Sequence, residues 1–172
     1  MPENRLKNHY NNGGLFMLIE GKLLAFGSDL SDVNAIRRNV FVEEMRLPEA
    51  IIFDSLDDFS MHVIVYEKAG SKNAVATGRI SFDGTNCEIS QLAVLKEHRA
   101  KKFGDFTVKM LLNRAFTSGI HQVECTAFSE IVPFFQTIGF HTIGNEMIEN
   151  NRKCYKMLIN ETDIIKACQK GK

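Results

Sequence analysis

From Glu88 to Phe116 the chain reads EISQLAVLKEHRAKKFGDFTVKMLLNRAF, and its middle brings charge and free backbone together. Lys96, His98, Arg99, Lys101 and Lys102 fall within residues 96–104, with no acid between Glu97 and Asp105. Gly104 stands where a helix should begin. Val108, Leu111, Leu112, Ala115 and Phe116 recur at i, i+3, i+4, i+7 and i+8, so they share one face, which should pack on a sheet. The first N–H groups of a helix have no partner within it and lie at the positive end of its dipole. With cations beside them they make a site for phosphate. The same residues would also serve as a βα connection with solvated charges.

The rest of the chain has to position that loop. Residues 89–94 (ISQLAV) form the short apolar strand that feeds it. Upstream, residues 15–19 and 22–26 read as two strands around a Glu20-Gly21 turn. Ser28, Asp29, Ser31 and Asp32 offer caps for a helix from about Asp32 to Met45, with Val33, Ile36, Val40 and Phe41 on its buried face. Residues 62–67 and 74–82 are strands, separated from each other and from the motif strand by turns at 70–73 and 83–86. Gly119 ends the motif helix, 123–128 is a strand expected to run parallel to the motif strand, and a short helix from Glu130 stops at Gly139. Residues 141–148 and 153–159 close the sheet as a strand pair. Residues 1–13 are expected to be disordered, 14–160 to form a single domain, and 161–172 to be a tail or short helix around Asp163–Cys168. The fold class is α+β: a mixed, mostly antiparallel sheet flanked by helices on both faces.

Composition narrows the function classes. Of 172 residues, 44% are hydrophobic, which suits one domain with a sizeable core. Lys+Arg and Asp+Glu both number 21, so the basic footprint of a nucleic-acid binder is missing outside the loop. No apolar run approaches the ~18 residues of a membrane span, and the polar N-terminus has no secretory signal. Neither nucleic acid nor a membrane is expected as a partner. Cys87, Cys125, Cys154 and Cys168 include no C-x-x-C pair and no zinc-ligand spacing with His. They are read as reduced thiols, the first three on strands, of a cytoplasmic protein that binds no metal.

The strand-loop-helix resembles motif A of the GNAT acyl-CoA N-acyltransferases, Gln/Arg-x-x-Gly-x-Gly/Ala. Arg99 fills the first position and Gly104 the last, while Lys102 stands where the middle glycine is expected. A lysine still offers its backbone N–H, and its side chain could reach a phosphate, but it enters a left-handed conformation less cheaply. A second resemblance lies in Ser129–Phe140 (SEIVPFFQTIGF), where the family carries a short helix ending x-Phe-Tyr-x-x-x-Gly-Phe. Phe134, Gly139 and Phe140 fit; Phe135 replaces the tyrosine that often protonates the departing thiolate, so that acid role does not carry over. A third, residues 37–67, is similar to the ElaA-like branch through Val-Phe-Val-x-Glu and Asp-x-Leu-Asp-Asp. The same region is similar to acyl-homoserine-lactone synthases, whose tryptophan is missing here.

These resemblances imply an acetyl-CoA-dependent N-acetyltransferase acting on a primary amine by direct attack. Main-chain groups of Leu92, Ala93 and Val94 would hold the pantetheine arm. The pyrophosphate would sit on N–H groups of Arg99, Ala100, Lys101, Lys102, Phe103, Gly104 and Asp105. Phe134 would line the cofactor channel, residues 37–67 would border the acceptor, and Glu88 would be the catalytic base at an offset used by some members. Without burial Glu88 would be an ordinary strand glutamate. The expected partner is a small-molecule or peptide amine, with a homodimer among the admissible assemblies. A non-catalytic acyl-CoA-binding module is the alternative, favoured by Lys102 and Phe135.

Overall fold

Eight strands hydrogen-bond in the order β1-β2-β3-β4-β5-β6-β8-β7 in a computed structural model that describes residues 5–12, 15–68, 72–84 and 86–163. They are β1 (Arg5–Asn12), β2 (Leu15–Leu24), β3 (Met61–Lys68), β4 (Lys72–Asp83), β5 (Asn86–Val94), β6 (Gln122–Phe128), β7 (His141–Glu149) and β8 (Arg152–Asn160). The helices are α1 (Ser31–Arg37), α2 (Glu49–Ile52), α3 (Phe103–Thr117) and α4 (Val132–Ile138). β1–β2, β2–β3, β3–β4, β6–β8 and β7–β8 pair antiparallel, while β5 and β6 run parallel, so the sheet is mixed and mostly antiparallel, as expected.

The chain divides into two compact units, Met1–Ser81 with Gln91–Leu111, and Phe82–Ser90 with Leu112–Lys172. In the first unit, β2, β3 and β4 present two distinct faces. Gly21 pairs with Val65, and Val63 with Gly78, and these residues point to one side. A Cβ on Gly21 would stand 2.1 Å from Met110 Sδ, and one on Gly78 2.8 Å from Leu111 Cδ1, so α3 presses directly on that side. His62 and Tyr66 point to the other side, where α1 meets them: Tyr66 donates to Asp32 and His62 faces Arg37. In the second unit, β6 alternates strictly, with Val123, Cys125 and Ala127 buried. Gly139, at φ 118°, ends α4.

Three segments differ from expectation. Arg5–Asn12 is not disordered but is strand β1, in register with β2 from Arg5↔Lys22 to Asn12↔Leu15. Its polar sequence shows no alternation because an edge strand is held by main-chain bonds to its neighbour. Glu20-Gly21 is not a turn: β2 runs through it, and Gly21 is there because α3 comes too close for a side chain. The helix predicted from Asp32 to Met45 is α-helical only to Arg37 and continues as a π-helical stretch, Arg38–Glu44, where Met45 N–H bonds to Val40 C=O. Residues 161–163 are helical, and the rest of the predicted tail lies outside the described residues.

Candidate active site

The loop between β5 and α3 has a backbone that the sequence does not advertise. A turn of 3-10 helix, Lys96–His98, follows β5. Ala100 and Lys102 then adopt φ of 60° and 69°, left-handed values that L-residues seldom take. Lys102, at the position where the family pattern has glycine, therefore holds a glycine-like conformation. Its C=O accepts from Phe106 N–H at 2.9 Å, the first bond of α3. The N–H groups of Phe103, Gly104 and Asp105 precede that bond, and a helix provides no partner for them. Asp105 itself pairs with Lys109, 2.9 Å away.

Phe103 is fully buried, its ring edge-on to His98 with centroids 5.7 Å apart. Only its backbone is available to a ligand; its ring anchors the loop. His98 in turn lies 3.3 Å from Glu67. Arg99 is committed to protein rather than open to phosphate. Its Nη1 and Nη2 donate to Glu44 at 2.7 and 2.6 Å, and its Nε donates to Val94 C=O at 3.1 Å. This fork holds the Glu44 carboxyl below its usual range. It also joins the loop to the π-helical stretch.

On β5, Ala93 is buried, while Leu92 and Val94 are half-buried. Gln91 breaks the strand's regularity with φ 54°. The ladder from β5 to β6 consists of Glu88↔Glu124 and Ile89↔Cys125. Glu88 is exposed, opposite Glu124, whose carboxylate meets Lys156 Nζ at 2.7 Å. The desolvation that would make it a stronger base is therefore missing. Its negative charge does act on neighbouring thiols. Burial first, and Glu88 second, push Cys87 up to about 12 and raise Cys125 as well. Cys87, Cys125 and Cys154 are free, buried and unreactive at neutral pH.

Phe134 is half-buried, with its ring 5.2 Å from that of Phe135. Phe135 is 2% exposed and packs edge-on against Phe140, so it belongs to the core of the second unit.

One cluster in the first unit was missed as a cluster by sequence reasoning. Arg37, fully buried, donates to both oxygens of Asp57 at 2.9 Å. Arg79 donates to Asp54 at 2.5 and 3.1 Å and to Asp57 at 3.0 Å. His62 Nδ1 faces Arg37 Nη2 at 3.0 Å. Arginine only donates, so Nδ1 accepts and the ring proton sits on Nε2, toward Asp57 C=O. Burial, then the charge of Arg37, keeps the His62 pKa below 6.5. For Arg79, burial works in the opposite direction, but the bonds to Asp54 and Asp57 prevail and its pKa is raised. The Asp-x-Leu-Asp-Asp run was the available signal; its arginine partners lie 20 to 25 residues away in sequence.

Among the described residues, no group of three or more His, Cys, Asp or Glu side chains could hold a metal ion. No described helix is long and apolar enough to cross a membrane.

Comparison with known proteins gives the family. The pattern of the family described as "Acetyltransferase (GNAT) domain" matches residues 30–160. YjcF of Bacillus subtilis, described as an uncharacterized N-acetyltransferase, is 27% identical over 117 residues, 68% of this chain and 81% of that protein. Among solved structures, an acyl-CoA N-acyltransferase from Pseudomonas aeruginosa superposes with a TM-score of 0.70 at 17% identity, covering 81% of this chain and 98% of that one. Escherichia coli ElaA does so with 0.69 at 22% identity, covering 81% and 98%. These superpositions show a shared fold. With its pattern matched from residue 30 to residue 160, the chain belongs to the acetyltransferase (GNAT) domain family.

Proposed function

We propose that this protein transfers an acetyl group from acetyl-CoA to a primary amine by direct attack. The observation that carries the proposal is the loop before α3, where three first-turn N–H groups lie beside Lys101 and Lys102. Left-handed residues at 100 and 102 shape its backbone. In this reading the pyrophosphate rests on those amides, and the main chain of Leu92, Ala93 and Val94 holds the pantetheine arm by strand-like hydrogen bonds. Arg99 acts indirectly, as a brace from Val94 to Glu44 that keeps loop and strand in register.

The amine nitrogen adds to the thioester carbonyl carbon, the C–S bond breaks, and CoA leaves as a thiolate. A strand N–H, that of Val94 in our reading, polarises the carbonyl. Glu88 accepts the proton that the amine sheds, through water, since its side chain is exposed. Positioning supplies most of the rate.

Calorimetry with acetyl-CoA and a thiol-release assay over an amine panel test this reading. Micromolar binding that weakens with salt, and amine-dependent thiol release, are expected. No binding up to millimolar acetyl-CoA would overturn it. One observation favours a second reading, an acyl-CoA-binding module without turnover: Phe135 is locked in the core where a proton donor is usual. Tight binding with no thiol release for any amine would select that reading.

A further inference from the structure

We propose that Gln91 is the residue that orients the incoming amine, its side-chain oxygen receiving an N–H of the acceptor. This inference rests on the acyltransferase reading above and extends it to the acceptor.

Three observations on one side chain lead there. Gln91 sits inside β5, the strand that feeds the phosphate-type loop, with φ 54° although it is not glycine. Conformations of this kind persist only where the surroundings impose them, and they gather at functional sites. The surroundings are visible: its amide nitrogen donates to Ile52 C=O at 3.1 Å and to Ile51 C=O at 3.4 Å. Those are the last carbonyls of α2, which a helix leaves unpaired. The arrangement also fixes the amide's orientation. A flipped amide would aim its oxygen at two carbonyl oxygens, so the nitrogen must face α2.

The oxygen is then left over. Gln91 Oε1 is buried and meets no donor among the described residues. Buried polar atoms in folded proteins nearly always have a partner. Both N–H groups of the amide are used and its acceptor is held ready, while the residue as a whole is only half-buried. A structural cap for α2 explains the nitrogen but leaves the oxygen unexplained.

The chemistry of the reaction supplies a matching donor. A primary amine brings N–H groups to the thioester. As nitrogen bonds to carbon it gains positive charge, so a hydrogen bond from N–H to a fixed neutral oxygen strengthens toward the transition state. Gln91 takes no proton in this role. The proton passes to water or Glu88, and the products remain an amide and a thiol. The same oxygen repels an acceptor presenting only lone pairs, which favours amines with at least two N–H groups.

Gln91→Gly tests the proposal, because glycine accepts the left-handed backbone while removing the amide. Gln91→Asn keeps an amide and tolerates that backbone, but is one carbon shorter. The parent is first assayed with acetyl-CoA and four probes: spermidine, a lysine-bearing peptide, an aminoglycoside and free α-amino acids. On the best probe, Gln91→Gly should lose at least tenfold in kcat/KM. Its acetyl-CoA affinity by calorimetry should stay within twofold, and Gln91→Asn should fall between the two. A glycine variant with parental kcat/KM would overturn the proposal. So would a parallel loss of acetyl-CoA affinity and turnover, which would mark Gln91 as a structural clasp. A parent inactive on every probe would overturn the acyltransferase reading, and this inference with it. An active parent with insensitive variants would overturn this inference alone.

Discussion

Replacing Lys102 by glycine separates the two things this position does. Its backbone holds φ 69° at the entrance to α3, and its exposed side chain adds a cation to the loop. A left-handed conformation costs an L-residue about 1–2 kcal/mol, which glycine avoids. Glycine in turn carries extra freedom in the unfolded chain, worth about 0.4–1 kcal/mol against it. The difference predicts that Lys102→Gly is stabilised by about 1 kcal/mol. For a chain of this size that is a rise in Tm of about 2–4 °C. Lys102→Ala keeps the strain and should not rise. Binding provides the other half. A charged hydrogen bond from this exposed ammonium to phosphate would contribute about 1.5 kcal/mol, the low end of the range, or roughly tenfold in Kd. Both variants lose it, so both should bind CoA up to tenfold more weakly while differing in Tm. Thermal unfolding and CoA calorimetry on the parent and both variants give the four comparisons. A glycine variant that melts below the parent would refute the strain argument. One that binds CoA more tightly would refute the contact between lysine and phosphate.

Gly21→Ala places a methyl group 2.1 Å from Met110 Sδ and 2.8 Å from Phe106 Cε1, so overpacking should cost about 1–3 kcal/mol, read as a fall in Tm. His62 is depressed below 6.5 by burial and by Arg37, so the unfolded chain binds the extra proton first. Stability from this site is complete above about pH 6.5 and is lost as pH falls toward the folded pKa; urea unfolding should show it, and His62→Gln should flatten that slope. Arg99→Lys keeps the charge but loses the fork onto Glu44 and Val94, and should weaken CoA binding about two- to fivefold with Tm nearly unchanged; unchanged affinity would remove the bracing role. Glu88→Gln should lower kcat at neutral pH by about tenfold or more while sparing CoA affinity, with a deficit that closes at high pH, where the amine is already neutral. A deficit equal at every pH would make Glu88 an orienting group, and none at all would leave the proton to water.

Legibility in the sequence followed the range of the interactions. Strands β3, β4, β6 and β8 carry apolar runs or alternation that a local reading finds, and α3 carries its 3.6-residue stripe. Strand β1 has no such pattern, since its register with β2 is set by main-chain pairing. Gly21 reads locally as a turn because nothing near it in sequence announces Met110. The ion cluster needed contacts across 20 and 25 residues, so Asp54 and Asp57 were visible while Arg37 and Arg79 were not seen as their partners. At the candidate site, the order of strand, loop and helix was legible from its residue types. Its left-handed backbone at Lys102 was legible only through the departure from a glycine pattern, and at Gln91 not at all. The commitment of Arg99 to Glu44 spans 55 residues and had no local sign.

The placement of strain bears on how such a site can work without a tyrosine acid. Six described non-glycine residues have positive φ: Arg46, Gln91, Ala100, Lys102, Asn150 and Asn151. The two asparagines are of a type that tolerates this conformation in turns. Of the other four, three fall between residues 91 and 102, on the strand and loop that would hold acetyl-CoA. At about 1–2 kcal/mol each, that is a cost concentrated on this strand and loop. Main-chain groups held in unusual directions are what a site needs when its ligand is recognised by amides rather than by side chains. The leaving group fits the same logic. A thiol has a pKa of about 8.5, so CoA departs tolerably as a thiolate, and a general acid would add about 10²–10⁴-fold to a rate already set by positioning. In the proposed reaction, Phe135 in the core would forgo that factor, while the backbone of residues 91–102 would keep the larger one. Perturbing the backbone at Ala100 or Lys102 should therefore change binding and turnover more than introducing a hydroxyl at Phe135.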